Sequence, residues 1–416
     1  MRQARPARGS RRRARAPAPE PQRGRRGGPR RGRRGGPRRA ILAVAALALG
    51  AFCYGTTENL PVGLLPLVAA DLHRSLSAVG LLVTGYGLTV AVVSVPLTRL
   101  TARMPRRRLL PGLLSVFVIT TWTSVAAADY WLLLGSRIVM ALSQAVFWPV
   151  AVVAAAGLFS PRVRGRAATV VFAGGSLAIV LGVPAGTWLG QQAGWRASFL
   201  VLSGLGVLAF LALIVLLPAG APGESHTAVA DTPDARRFRL LVVTTALAVT
   251  GFFTVFTYIV VFLTEVSGFS SSAISPLLLM YGAMDFAALM GAGAVVDRGP
   301  RATMIVSIAL LALAFLGLYA FGTTHTASLI TLTLMGVGLP GMVAALQVRV
   351  LQVAPGNTDI ASAGTSAAFN IGIGGGALLG GLLLPATGVR GTALAGALLV
   401  TAALAVSLTE RFLPRA

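Results

Sequence analysis

The stretch GAFCYGTTENLPVGLLPLVAADL, Gly50 to Leu72, is an apolar run with polar groups inside it. Together with the apolar run that begins at Ile41 it is long enough to cross a bilayer as a helix. It also carries a carboxylate, Glu58, well inside that length. A charge at membrane depth costs roughly 2.5–3.5 kcal/mol on insertion scales, so such residues are rare and usually functional. Thr56, Thr57 and Asn59 flank the acid, and four polar groups in a row cannot all face lipid. This side of the helix therefore looks into protein or into a water-filled cavity. Two readings of Glu58 stand at this point: a protonated acid hydrogen-bonded to a neighbouring helix, and a proton or solute site.

Working outward, the composition agrees with a chain that lives in lipid. Of 416 residues 55% are hydrophobic and only 12% charged, with a mean hydropathy of +0.78, against about 25% charged for an ordinary soluble domain. The formal charge of +24 looks like a nucleic-acid signal until it is located: residues 1–40 hold sixteen arginines and one acid, Glu20, and so carry +15 of it. That tail repeats an octapeptide, RRGGPRRG from Arg25 and RRGGPRRA from Arg33, and has nothing with which to build a core. It is expected to be disordered, either a dispensable extension or a contact for anionic lipid; no nucleic-acid partner is expected. Cys53 is the only cysteine, so no intrachain disulfide is possible, and His73, His226 and His325 fall in loops without metal-ligand spacing.

A window of about 20 apolar residues finds twelve spans, at 41–69, 76–98, 109–127, 131–157, 166–190, 196–217, 240–264, 272–296, 302–322, 327–353, 360–386 and 391–409. An all-α membrane protein follows. Arginines crowd the tail, the 99–108 loop, residues 162–166, 236–239, 298–301 and 411–415, whereas the opposite loops carry only Arg74, Arg196 and Arg390, which puts both termini in the cytoplasm. The polar linker at 218–239 divides a first half, 41–217, from a second, 240–416, of six spans each. The halves repeat. The Arg-Pro-Arg series Arg103, Pro105, Arg106 after span two recurs as Arg298, Pro300, Arg301 after span eight. Small residues recur every fourth position at Gly174, Ala178, Gly182, Gly186 and Gly190 in span five, and at Gly364, Ala368, Gly372, Gly376 and Gly380 in span eleven. Such flat faces let two helix backbones approach closely in lipid. Parallel six-helix repeats with a site between them are the plan of a secondary transporter.

Six stretches now carry a resemblance: GTTENLPVGLLPLVAADL (55–72), LTARMPRRRLL (100–110), SRIVMALSQAVFWPV (136–150), VLGVPAGTWLGQQAGWR (180–196), LQVRVLQVAPGNTD (346–359) and FNIGIGGGALLG (369–380). The chain resembles a major facilitator superfamily transporter of the drug:proton antiporter branch, most of all the bacterial sugar efflux transporters. The resemblance implies that Glu58 stands at the acid such exporters carry in their first helix and Arg137 at their fourth-helix arginine. Likewise Gly182, Pro184, Gly186 and Gly190 fall on the glycine-proline pattern associated with antiport. The family's first cytoplasmic loop reads Gly, three residues, Asp, Arg, X, Gly, Arg; here Thr98 and Ala102 replace the Gly and the Asp, while the second-half copy keeps Gly293 and Asp297. The implied cytoplasmic gate contact therefore falls to Asp297 with Arg298, alongside Arg103 and Arg106.

Sorting the twelve acids by span leaves Glu58 and Asp285 at membrane depth. Glu58 and Arg137 lie within roughly 6 Å of the same depth by helical rise, near enough to pair. In such a pair the arginine favours the ionised acid and burial the neutral one, which is the physics of proton coupling; the competing reading is an ion pair that only aligns helices. Asn59, Gln144 and Asn370 are expected to hydrogen-bond a polar solute or to serve packing, and Tyr86, Trp148, Phe256, Tyr258 and Tyr281 to wall the cavity. The expected function is export of a small solute, a sugar or a related polar or amphipathic compound, in exchange for protons by alternating access, with no cofactor, as a monomer in the cell membrane. The alternatives are a chloramphenicol-type or multidrug exporter and, from another class, a non-transporting receptor or scaffold. An enzyme is not expected, because no nucleophile with a base and no metal set is present, and the chain has no lysine for a phosphate-binding loop.

Overall fold

The computed structural model describes residues 37–159, 163–217, 234–354 and 358–412. The arginine-rich tail up to residue 36 and the linker up to residue 233 lie outside the described residues, so the disorder expected of the tail is not addressed by them. The first half consists of α1 (Pro37–Asp71), α2 (Leu76–Thr101), α3 (Arg106–Ala126), α4 (Tyr130–Gly157), α5 (Arg164–Leu177) continuing through a π turn (Ala178–Gly182) into α6 (Val183–Ala193), and α7 (Trp195–Leu216). The second consists of α8 (Ala235–Phe256) with its short continuation α9 (Ile259–Glu265), α10 (Ser271–Val296), α11 (Pro300–Phe321), α12 (His325–Val353) and α13 (Thr358–Thr409).

Backbone geometry explains where these elements depart from the expected spans. Fifty-two residues of α13 at 1.5 Å each are far longer than a bilayer is thick. Gly388, with φ 65°, turns the chain there, so that spans eleven and twelve run back on each other and the count of twelve stands. Span seven is likewise broken. Tyr258 has φ −112° and ψ 15°, and the helix restarts at Ile259. All spans alternate in direction, so both described ends share one end of the bundle, here called proximal; the other is distal.

The two small-residue series do the same job in each half. A Cβ added at Gly174 would strike the Ala48 backbone, at Gly182 the Thr56 side chain, at Gly186 Leu60 at 2.7 Å and at Gly190 Leu64, so α5–α6 lies against α1 at backbone distance. In the second half, a Cβ at Gly372 would meet Val249 at 2.7 Å, at Gly376 the Thr250 carbonyl, and at Gly380 the Thr254 carbonyl at 2.8 Å, so α13 lies the same way against α8. Gly364 differs: its nearest neighbour is Phe238 at 3.9 Å, and the second series is loose at its proximal end.

Between the halves, α2 crosses α13 where a Cβ on Gly87 would be 2.9 Å from the Gly374 backbone N, and α10 crosses the π turn where a Cβ on Gly282 would be 2.7 Å from the Ile179 carbonyl. Both crossings sit near mid-span. Distally the contact continues: Gln191 Nε2 donates to the Ser271 carbonyl (2.7 Å), Ser275 donates to Gln191 Oε1 (3.1 Å), and the Tyr258 ring lies against Gly80 and Gly381. Proximal to the crossings the same helices expose Val92 and Ile371.

Candidate functional site

The site is built around a missing N–H. Pro61 lies inside α1 and cannot donate to the carbonyl four residues back, that of Thr57. In a membrane interior an orphaned carbonyl must find another donor. Arg137 supplies it. From α4, where its side chain is fully buried, Arg137 Nη1 donates to the Thr57 carbonyl (2.6 Å) and Nη2 to the Glu58 carbonyl (3.2 Å). The guanidinium plane lies over the Tyr86 ring, 4.5 Å from its centre, which stabilises the charge where water cannot.

Glu58 is therefore not bonded to the arginine that sequence spacing places beside it. Its Oε2 accepts instead from Gln144 Nε2 at 2.7 Å, and Gln144 Oε1 accepts in turn from the Tyr86 hydroxyl. The possible Glu58–Arg137 pair is thus corrected to a contact through backbone: Arg137 donates to the Thr57 carbonyl that the proline frees and to the neighbouring carbonyl of Glu58. One face of α4 contributes both Arg137 and Gln144, seven residues apart and so two helical turns. Glu58 itself is half-buried, as is Asn59, whose amide turns back to the Gly55 carbonyl (3.0 Å).

The remaining candidates separate by exposure. Asp285 in α10 is half-buried, and no hydrogen bond to its carboxylate joins it to the described residues. Asn370 bonds its own helix at Ser366 (3.0 Å), and Trp148 stacks on Phe172 at 6.1 Å; both remain partly open. Tyr86, Gln144, Phe256, Tyr258 and Tyr281 are buried. Phe256 packs on Tyr281 at 5.1 Å, and Tyr258 donates to the Ala377 carbonyl at 3.0 Å. Among the gate-loop residues, Arg106 Nη1 reaches the Val153 carbonyl (3.3 Å), a contact within the first half, while Arg103, Asp297 and Arg298 are exposed at the proximal end. Pro184 opens α6 directly after the π turn. Pro61 and the carbonyl of Thr57 are the parts of the candidate site that the sequence analysis did not single out, although the signal, a proline four residues after Thr57, stands in the sequence. Among the described residues no three of His, Cys, Asp and Glu gather as a metal site.

A sequence model of the Major Facilitator Superfamily matches residues 47–292 and 241–416. The chain belongs to the major facilitator superfamily. This major facilitator chain is 35% identical over 382 residues to an uncharacterized MFS-type transporter, YtbD, of Bacillus subtilis, covering 90% of the chain and 96% of the relative. It is 33% identical over 356 residues to a probable sugar efflux transporter of Helicobacter acinonychis, covering 84% and 90%. Among solved structures it is similar to a bacterial homolog of the human lysosomal transporter Spinster in an inward-facing, unoccupied conformation (TM-score 0.71, 17% identity, 91% of this chain and 98% of that one). The human organic anion transporter MFSD10 is also similar in fold (TM-score 0.66, 16% identity, 89% and 99%). The major facilitator chain is thus a multi-pass membrane transporter and not an enzyme.

Proposed function

We propose that this transporter exports a sugar or a related polar solute in exchange for protons, with Glu58 as the carrier and Arg137 and Asp285 tuning it. The carrying observation is the setting of Glu58: a half-buried carboxylate in mid-membrane that accepts from a neutral amide, with a buried guanidinium next to it but not bonded to it. The amide donor and the nearby positive charge favour the carboxylate, while exclusion of water favours the acid, so a change in hydration moves the proton on or off. A direct ion pair would hold the charge fixed; this arrangement leaves it switchable.

Alternating access supplies the change in hydration. The halves meet at mid-span and distally, and the arginine bias favours the proximal end as the cytoplasmic one, which supports a reading in which a cytoplasmic solute enters from that end. Half-open Asn59, Asn370 and Trp148 suit a solute with hydroxyl groups and an apolar ring face. The name of the Helicobacter relative favours a sugar over a drug. The test is proton-dependent efflux from cells expressing the chain, loaded with labelled sugars, nucleosides or chloramphenicol. Sugar efflux that collapses with a protonophore is the expected result; efflux of chloramphenicol alone would transfer the reading to a drug exporter, and efflux of none would remove it.

A further inference from the structure

Away from the transport site, the second half holds a groove of about 570 Å³ of whose lining the transport reading uses only Arg298, at the expected gate. It opens because α10 and α11 touch each other little while both pack along α12, which forms the floor. Its lining is apolar and shallow-sided: Ala288 and Gly291 from α10, Val306 and Leu310 from α11, Gly341 from α12. Thr303 also lines it but donates its hydroxyl to the Gly299 carbonyl (3.0 Å) within its own helix, leaving its methyl group for the groove. From Gly299, just before α11, to Leu310 the groove runs about 16 Å along the helix, close to one leaflet of a bilayer whose hydrocarbon is about 30 Å thick. At the proximal end of the lining stands Arg298, exposed on the turn.

We infer that this groove is a binding site for one anionic phospholipid, its phosphodiester against Arg298 and one acyl chain laid between α10 and α11. The length matches a leaflet, the cation sits at headgroup depth, and the apolar end points toward mid-membrane. Lipid is also the solvent that this surface meets. Basic pockets between membrane helices are established headgroup sites, and an arginine near the surface adds about fivefold in affinity for an anionic lipid. The inference stands whether or not the transporter is proton-coupled.

Native mass spectrometry of the full chain, released from detergent with added phosphatidylglycerol or phosphatidylcholine of the same acyl chains, tests it. Wild type should retain one phosphatidylglycerol with about fivefold preference. Arg298→Gln should bring the two lipids to equal retention. Gly291→Leu places a side chain in open space, since nothing lies within 4 Å of a Cβ there, and should cut retention of both lipids at least fivefold without lowering the melting temperature. Equal retention of both lipids by wild type, an undiminished preference in Arg298→Gln, or full retention in Gly291→Leu would each overturn the inference. Displacement of the lipid by glycerol 3-phosphate alone would also overturn it, by showing a headgroup site without a chain groove.

Discussion

Pro61 and Arg137 behave as one device although they lie on different helices. The proline leaves the Thr57 carbonyl without a helical donor, and the arginine fills the place at 2.6 Å. A double-mutant cycle measures the link. In the Pro61 background, Arg137→Met strands a buried carbonyl, which costs about 1–3 kcal/mol. With Pro61→Ala the new N–H takes over, and the same replacement should cost measurably less in thermal melts of the detergent-solubilised protein. Equal costs in both backgrounds would show that the arginine is held by something other than that carbonyl. Residue spacing in the sequence predicted the meeting of α1 and α4 at this depth but named the wrong partner, because a carboxylate is the obvious target for a guanidinium and a proline-freed carbonyl is visible only when hydrogen bonds are counted four residues back. Pro149 in α4 repeats the pattern, with Ser94 reaching the freed Ala145 carbonyl at 3.5 Å.

Element by element, the small-residue faces and the caps carry the packing. Gly182→Leu would push α1 away at Thr56, and Gly376→Leu would push α8 away at Thr250. Overpacking of this kind costs roughly 1–3 kcal/mol; export should fall in both variants while membrane insertion persists, and unchanged export in both would remove the close-approach argument. Asp234 caps α8 at the end of the linker, accepting from the backbone N–H groups of Arg237 (3.1 Å) and Arg236 (2.9 Å). Those bonds, with the Arg237 charge, hold its carboxyl below the usual range. A depressed folded pKa means stability present above the unfolded pKa of about 3.9 and lost as pH falls through the folded value. Asp234→Ala should therefore destabilise by about 1 kcal/mol at neutral pH, a difference that shrinks in melts below the folded pKa; a pH-independent difference would contradict the capping role. The spans themselves were legible, since apolar length is all a window needs. The π turn at Ala178–Gly182 was not, because the apolar run AIVLG has no feature that separates a π from an α turn; nor was the break at Tyr258, whose side chain lies against Gly80 and Gly381.

For the whole molecule the two-half plan was readable from the repeats, whereas the conformation was not, because crossings such as Gly87 on Gly374 involve residues with no side chain to flag them. Distal closure rests in part on Gln191, which bonds both Ser271 and Ser275. Losing two hydrogen bonds at about 1 kcal/mol each should raise the distally open population about tenfold or more in Gln191→Ala, read by single-molecule distances between dyes on the two halves. An unmoved distribution would place the closing energy elsewhere. Under the proposed function, Glu58 carries the coupled proton. The most direct test is solute accumulation driven by a pH gradient in proteoliposomes of wild type, Glu58→Gln and Asp285→Asn. Glu58→Gln, which keeps the shape but cannot release a proton, should insert and still equilibrate solute yet build no gradient, while Asp285→Asn retains pH-driven accumulation with a shifted pH profile; full accumulation by Glu58→Gln would contradict the account.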